Sequence, residues 1–174
     1  MISVSEAKKI ISENVSSPKP VALPLPGAAG LVLAEDVYAA MDIPAFPQSS
    51  MDGYAFSFEG WKRHMKLKIK GEIAAGSNES FTLSPENAVR IFTGAAVPAG
   101  ADTVIMQEKV KVDSSPGSEG ELKIEDENLQ LGNSVRPKGS EIKSGALALE
   151  KENISYLYEG MEAGSISMRS FVIK

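Results

Sequence analysis

The sequence predicts an α+β fold rich in strands, with a small β domain inserted into an α+β one. Three observations predict it. Short apolar or alternating runs crowd the stretch between about residues 50 and 130, separated by Gly, Pro, Asp and Asn. Proline-stiffened polar segments, Asp42–Ala55 and Asn133–Ile142, flank those runs. Helical patterns are confined to the outer ends of the chain. No internal repeat is present.

Composition narrows the chemistry. The 174 residues carry a formal charge of −5, without a basic tail or a long block of like charge, which argues against nucleic acid as the main partner. The absence of cysteine excludes disulfides, thiol chemistry and thiolate-bound metals. His64 is the single histidine, so one copy of the chain cannot build a histidine-based triad or a multi-histidine metal site. The start, Met1 to Glu6, lacks a basic region followed by an apolar stretch, so no signal peptide is expected. No apolar run approaches the roughly 20 residues that a membrane span needs. A cytoplasmic setting without membrane contact is the expectation.

In chain order, Ser3 to Asn14 predicts a helix. Ser3 and Glu6 have capping-box spacing, and Val4, Ala7, Ile10 and Ile11 share one face that needs a partner. Pro18, Pro20, Pro24 and Pro26 make an extended connector. A strand is expected around Val32–Val37. In Asp42–Ala55, two prolines deliver the polar corner Ser49-Ser50-Met51-Asp52-Gly53, which contains an Asp-Gly turn signal. Tyr54, Phe56 and Phe58 follow with period two, as a strand.

Glu59 to Met65, with Trp61 and His64, reads as a loop or helical turn, and His64 as a surface residue rather than a ligand. Lys66, Lys68 and Lys70 alternate with Leu67 and Ile69, giving a half-buried strand whose cationic face reads as solvated rather than as a binding face. Gly71–Gly76 and Ser80–Leu83 read as strand, turn, strand. Further strands are expected at Ala88–Phe92, Thr103–Met106, Lys109–Val112 and Glu121–Glu125, with a hairpin loop at Ser114–Gly120. Ala146–Leu149 is a short strand. Asn153–Tyr158 is a helix capped by Asn153 and ended by Gly160. Ser165–Lys174 alternates as a last strand, and the chain stops inside that pattern, so the natural protein is expected to continue.

Three segments carry candidate site chemistry. Asp52, with Ser50 beside it, offers carboxylate oxygen to a hard cation such as Mg²⁺ or to a ligand hydrogen bond. Thr93-Gly94-Ala95, at a strand end, puts a hydroxyl before amides in a glycine turn, either a plain turn or an anion nest. Arg136, with Lys138 and Glu141, offers a planar fork for an oxyanion, or else a surface ion pair. If the three meet, the site is an oxyanion pocket beside a metal-binding carboxylate.

The runs Asp42-Ile43-Pro44-Ala45-Phe46 and Ser50-Met51-Asp52-Gly53-Tyr54-Ala55 resemble the hallmark of the molybdopterin molybdotransferase family, which includes MoeA and the E domain of gephyrin. Val32–Val37, Val89–Ala95 with Val97-Pro98, Gly100–Asp102, Val104–Glu108 and Val135–Ile142 follow in the family's order across nearly the whole chain. The resemblance implies a late step of molybdenum cofactor synthesis. Molybdate is inserted into adenylylated molybdopterin with a divalent cation such as Mg²⁺, and AMP is released. It implies a cytoplasmic homodimer whose active cleft is shared between subunits, and molybdopterin adenylyltransferase as a further partner.

In fold terms the resemblance implies a discontinuous linker domain, residues 1–46 and 131–174, around a β-barrel-like insertion, residues 47–130. The helix over residues 3–14 would belong with a pterin-binding domain that is not in this sequence. By position, Asp52, Thr93 and Glu141 match residues implicated in catalysis, with Asp52 and Glu141 at the metal. Arg136, Thr93, Gly94 and Ser50 would contact the anionic ligands. The family usually has Asp at the position of Glu141 and an acid at that of Ser140, and Arg136-Pro137-Lys138 replaces a more Arg-rich run. The Thr-Gly-Asp/Asn-Glu-Leu motif that opens the family's pterin-binding domain does not appear. The resemblance therefore implies an N-terminal portion that is inactive alone; the alternative is a non-catalytic dimerisation or scaffold module of the same family.

Overall fold

The computed structural model describes residues 2–16, 19–24, 27–28, 30–77, 82–113, 120–151 and 170–173. The elements run α1 (Val4–Asn14), β1 (Val21–Pro24), β2 (Val37–Tyr38), β3 (Gln48–Ser49), β4 (Gly53–Phe56), α2 (Phe58–His64), β5 (Lys66–Ile73) and β6 (Asn87–Ile91). They continue with β7 (Thr103–Met106), a 3-10 turn (Gln107–Lys109), β8 (Val110–Asp113), β9 (Glu121–Ile124), β10 (Val135–Arg136), β11 (Leu147–Leu149) and β12 (Ser170–Ile173). The chain divides into two compact units, Met1–Ala40 with Ser144–Lys174, and Met41–Lys143. Both proline-stiffened segments lie in the second unit.

In the first unit α1 begins as its spacing predicts, with the Ser3 hydroxyl accepting from the Glu6 amide at 3.2 Å. Its apolar stripe finds no cover among the described residues: Val4 is 74 % exposed and Ile11 62 %. The proline connector contains strand β1, paired antiparallel with β12. The strand expected at Val32–Val37 shrinks to β2, which pairs with β11, and Ala28, Leu33 and Val37 form the small core beneath. The expected helix Asn153–Tyr158, the hairpin loop over 114–119 and the start of the last strand lie outside the described residues.

The second unit is built on one six-stranded sheet in the order β7-β4-β6-β5-β9-β8. Only the β5–β6 pair is parallel; the other pairs are antiparallel. The edge strands β7 and β8 are successive pieces of one stretch, separated by the three residues of the 3-10 turn. In a flat sheet the two edges would stand roughly 24 Å apart, whereas such a turn reaches only about 6 Å. The sheet therefore curls into a half-barrel.

Both faces of the sheet are buried. Ala55, Val89 and Val104 stand in register across β4, β6 and β7, each fully buried, and pack with Ile73, Leu83, Ile91 and Ala95. Phe56, Ala88, Ile105, Leu67 and Leu122 form the opposite core with Phe58 and Leu129.

Three local expectations change. The period-two run does not continue to Phe58: β4 ends at Phe56, and the Ser57 hydroxyl accepts from the Gly60 amide to start α2. There the Phe58 and Trp61 rings pack at a tilt with centroids 5.6 Å apart, so the helix keeps the aromatic inside by another route. The strand of Lys66, Lys68 and Lys70 and the one expected from Gly71 are a single strand: β5 runs through Gly71 to Ile73, with a shift of register between Ile69 and Glu72. Lys109 belongs to the 3-10 turn, and β8 starts at Val110. His64 is exposed, and Lys66, Lys68 and Lys70 face outward on β5, with Lys66 paired to Glu121 at 2.7 Å.

Candidate functional site

The polar corner 48–53 lies between the other two candidate segments and hydrogen-bonds to both. On one side, Ser49 and Gly94 are laced together: the Gly94 amide donates to the Ser49 carbonyl at 2.9 Å, and the Ser49 amide donates to the Ala95 carbonyl at 2.9 Å. The Gln48 side chain donates to the Gly94 carbonyl at 2.9 Å. On the other side β3 pairs with β10, placing Gln48 opposite Arg136. The Ser50 amide and hydroxyl both donate to the Ser134 carbonyl, at 3.0 and 3.1 Å. Ser49 itself is buried and donates to the Met51 carbonyl. The three segments thus meet through backbone pairing, which spacing alone does not reveal.

Asp52 sits exposed at this junction. One carboxylate oxygen accepts both the Thr93 amide and the Thr93 hydroxyl, each at 2.7 Å. These donors hold its pKa below the ordinary aspartate value, the amide acting most strongly, then the hydroxyl, with the positive field of Arg90 adding and slight burial opposing. The glycine turn, with Gly94 at a φ of 86°, therefore does hold an anion, and that anion is the chain's own Asp52. The Gly94 and Ala95 amides are likewise used, by Ser49 and Phe92.

Gly53 is required for a reason other than the turn signal. Its φ is not positive, but a Cβ there would land on the Ile105 carbonyl oxygen, because β4 and β7 approach closely at that point.

Arg136 and Glu141 face each other at 3.7 Å, both about half exposed. Lys138 lies 3.8 Å from Asp42. Glu141 is placed by backbone, its amide donating to the Ile43 carbonyl at 3.0 Å. No direct contact joins Glu141 to Asp52, and among the described residues no three acidic or histidine side chains converge as a metal cage.

Three residues that were not singled out in the sequence complete the corner. Arg90 lies between the Tyr54 and Phe92 rings, 5.2 and 5.0 Å from their centroids. It donates to the Gly53 carbonyl at 3.2 Å and to the Gln107 side-chain oxygen. Gln107 passes a hydrogen bond to Glu108 at 3.0 Å, and its amide donates to the Asp52 carbonyl at 3.2 Å. Glu108 is held below the ordinary glutamate pKa first by the Gln107 side chain, then by its own backbone amide and Arg90, while Asp52 pushes the other way. The signal in the sequence was Arg90 itself, the lone charge between Glu86 and Asp102.

The described helices include none long and apolar enough to cross a membrane. The family profile of the MoeA N-terminal region (domain I and II) matches residues 2–155. The molybdopterin molybdenumtransferase 2 of Mycobacterium tuberculosis is 33 % identical over 159 residues, covering 88 % of this chain and 38 % of that protein. The molybdopterin molybdenumtransferase of Nostoc sp. is 35 % identical over 136 residues, covering 70 % of this chain and 31 % of that protein. The crystal structure of the molybdopterin biosynthesis moeA protein from Pyrococcus horikoshii OT3 superposes with a TM-score of 0.81 at 26 % identity, covering 98 % of this chain and 45 % of that one. The chain thus spans less than half the length of these relatives. With the profile running through the corner of Asp52, the turn of Thr93 and the Arg136 segment, the chain belongs to the family of the MoeA N-terminal region.

Proposed function

We propose that the chain is the N-terminal portion of a molybdopterin molybdenumtransferase, which inserts molybdate into adenylylated molybdopterin and releases AMP. The observation that carries this reading is the Asp52–Thr93 clasp, in which an exposed carboxylate is held by two donors and favoured in its ionised form. The relatives' names supply the reaction class; the clasp supplies a group able to work in it.

The same reading brings a divalent cation such as Mg²⁺. The donor set suits an ion shared with substrate phosphates, because Mg²⁺ commonly takes one or two carboxylates and leaves its other positions to water and phosphate. Asp52 would hold it, with its second carboxylate oxygen accepting no hydrogen bond among the described residues. The bound ion would neutralise charge on the adenylyl phosphate. Glu141, opposite Arg136, would enter that shell only by leaving its ion pair. Arg136 would contact molybdate or phosphate oxygens, and Thr93, Gly94 and Ser50 would shape the corner around them.

The reading also carries a cytoplasmic homodimer that completes each cleft, fed by a molybdopterin adenylyltransferase. The chain alone would be silent, since it spans 38 % of the mycobacterial relative. The test is molybdate-dependent AMP release by a chimera in which this chain replaces the matching part of that relative. Release by the chimera and none by the chain alone is expected. A folded chimera without release would overturn the enzymatic reading and leave the scaffold role; release by the isolated chain would overturn its silence.

A further inference from the structure

We propose that Arg90 is the positioning residue of the corner: clamped between Tyr54 and Phe92, it ties Gly53 to Gln107 and thereby fixes Asp52 and Glu108 as neighbours on one rim. The inference rests on the reading above only in treating that rim as the site.

The geometry gives Arg90 a placement unusual for a surface cation. A long side chain normally sweeps many rotamers, and its fixation costs conformational entropy. Here β6 alternates buried Val89 and Ile91 with Arg90, so the guanidinium leaves on the Tyr54 face of the sheet, where Tyr54 is its cross-strand neighbour. The Phe92 ring, two residues further along the chain, adds a second aromatic contact. Stacking on two rings leaves the in-plane N–H groups free to reach acceptors. Two of them do: the Gly53 carbonyl, next in the chain to Asp52, and the Gln107 side chain, next to Glu108.

The fork therefore joins β4 to the turn that follows its neighbour β7. It also places one positive charge beside two carboxylates that repel each other. The positive field of Arg90 reaches both acids. A lysine at this position would supply the charge but could not bridge the two acceptors in one plane.

The test uses the 174-residue chain and no reaction. At one fixed neutral pH the Thr93 amide, which reports its hydrogen bond to Asp52, is followed by NMR as chemical shift and hydrogen-exchange protection in wild type, Arg90→Gln, Arg90→Lys and Gln107→Ala. Arg90→Gln is expected to lower Thr93 protection several-fold and move its shift, with the protection of the β7 amides unchanged, and Arg90→Lys to recover only part of this. Gln107→Ala, which leaves β6 intact, is expected to lower Thr93 protection as well, because the guanidinium loses its far anchor. An unchanged Thr93 amide in a folded Arg90→Gln protein would overturn the proposal. If that variant fails to fold, an unchanged Thr93 amide in Gln107→Ala would do so instead. Full recovery by lysine would reduce the role to charge alone and overturn the bridging. A chimera that releases no AMP bears on the functional reading and leaves this measurement untouched.

Discussion

Among the described residues the Asp52 carboxylate takes both of its hydrogen bonds from one residue, the amide and the hydroxyl of Thr93, each 2.7 Å away. The two donors differ in how they can be removed. The amide stays with any side chain, whereas the hydroxyl goes with Thr93→Val at nearly constant volume. The variant should leave the fold intact and raise the Asp52 midpoint, without bringing it back to that of an unrestrained aspartate. NMR titration of the carboxyl carbon measures this; a midpoint that did not move would assign the whole effect to the amide.

The pH dependence of stability follows from the same contacts. Asp52, Glu108 and Asp126 all have folded pKa values below their ordinary ones, the last chiefly through Lys109. Such groups contribute stability above their unfolded pKa, about 4, and lose it as pH falls through the folded value. Lys66, raised by Glu121, acts in the opposite sense: its contribution is full below about 10 and is lost as pH rises through its folded value. Urea midpoints should therefore be flat from about pH 5 to 9 and fall on either side, with the acid limb shallower in Lys109→Met.

Gly53→Ala should be the most damaging single methyl in the corner. The new Cβ meets rigid backbone at Ile105, so β4 and β7 must part. The expected loss is about 1–3 kcal/mol, the usual cost of overpacking, read as a drop in the urea midpoint. Gly132→Ala meets no neighbouring atom within 4 Å but has a φ of 80°. It should therefore destabilise through backbone strain with no movement of the Asp52 signals.

Asp102 ties three elements together. One of its oxygens accepts the Phe58 amide at the start of α2 and the hydroxyl of buried Thr103, both at 2.8 Å, while that hydroxyl accepts the Gly132 amide at 3.2 Å. Asp102→Ala strands a buried hydroxyl and a helix-start amide, which should cost about 1–3 kcal/mol. Asp102→Asn keeps an acceptor and should cost less. Thermal melts of the pair separate the lost acceptor from the lost charge.

Arg136 and Glu141, half exposed at 3.7 Å, should matter little to stability. Either single neutralisation should change it by less than about 1 kcal/mol. If Arg136 serves an oxyanion, Arg136→Ala abolishes molybdate and tungstate binding while Glu141→Gln, which removes a competing carboxylate, strengthens it. Calorimetric titration of the chain with each anion decides; equal binding by wild type and Arg136→Ala would remove Arg136 from the site.

Local chemistry made the strands of the half-barrel readable. Ala88–Phe92 and Thr103–Met106 are apolar runs bounded by turn residues, and they fold as β6 and β7 within a residue of their expected limits. Phe58 misled because period two continued past the point where Ser57 could cap a helix, and the cap prevailed. Asp52 and Thr93 were legible separately; their clasp was not, since 41 positions separate them and the pairing depends on β4 lying beside β6. Arg90 was missed because its meaning lies in Phe92 beside it together with Tyr54 and Gln107, brought to it from another strand and a turn.

The short link between β7 and β8 couples two separate strand pairings. Gln107 and Glu108 stand between a strand that must find β4 and one that must find β9. Pairings between distant parts of a chain form late, because loop entropy is lost before contacts compensate for it. Gln107 reaches Arg90 across β4, so its place depends on β7, β4 and β6 being paired. A chain in which β4 lacks β6 or β7 therefore cannot bring Asp52, Arg90 and Glu108 to one place, so the corner's chemistry depends on three strands drawn from distant parts of the sequence.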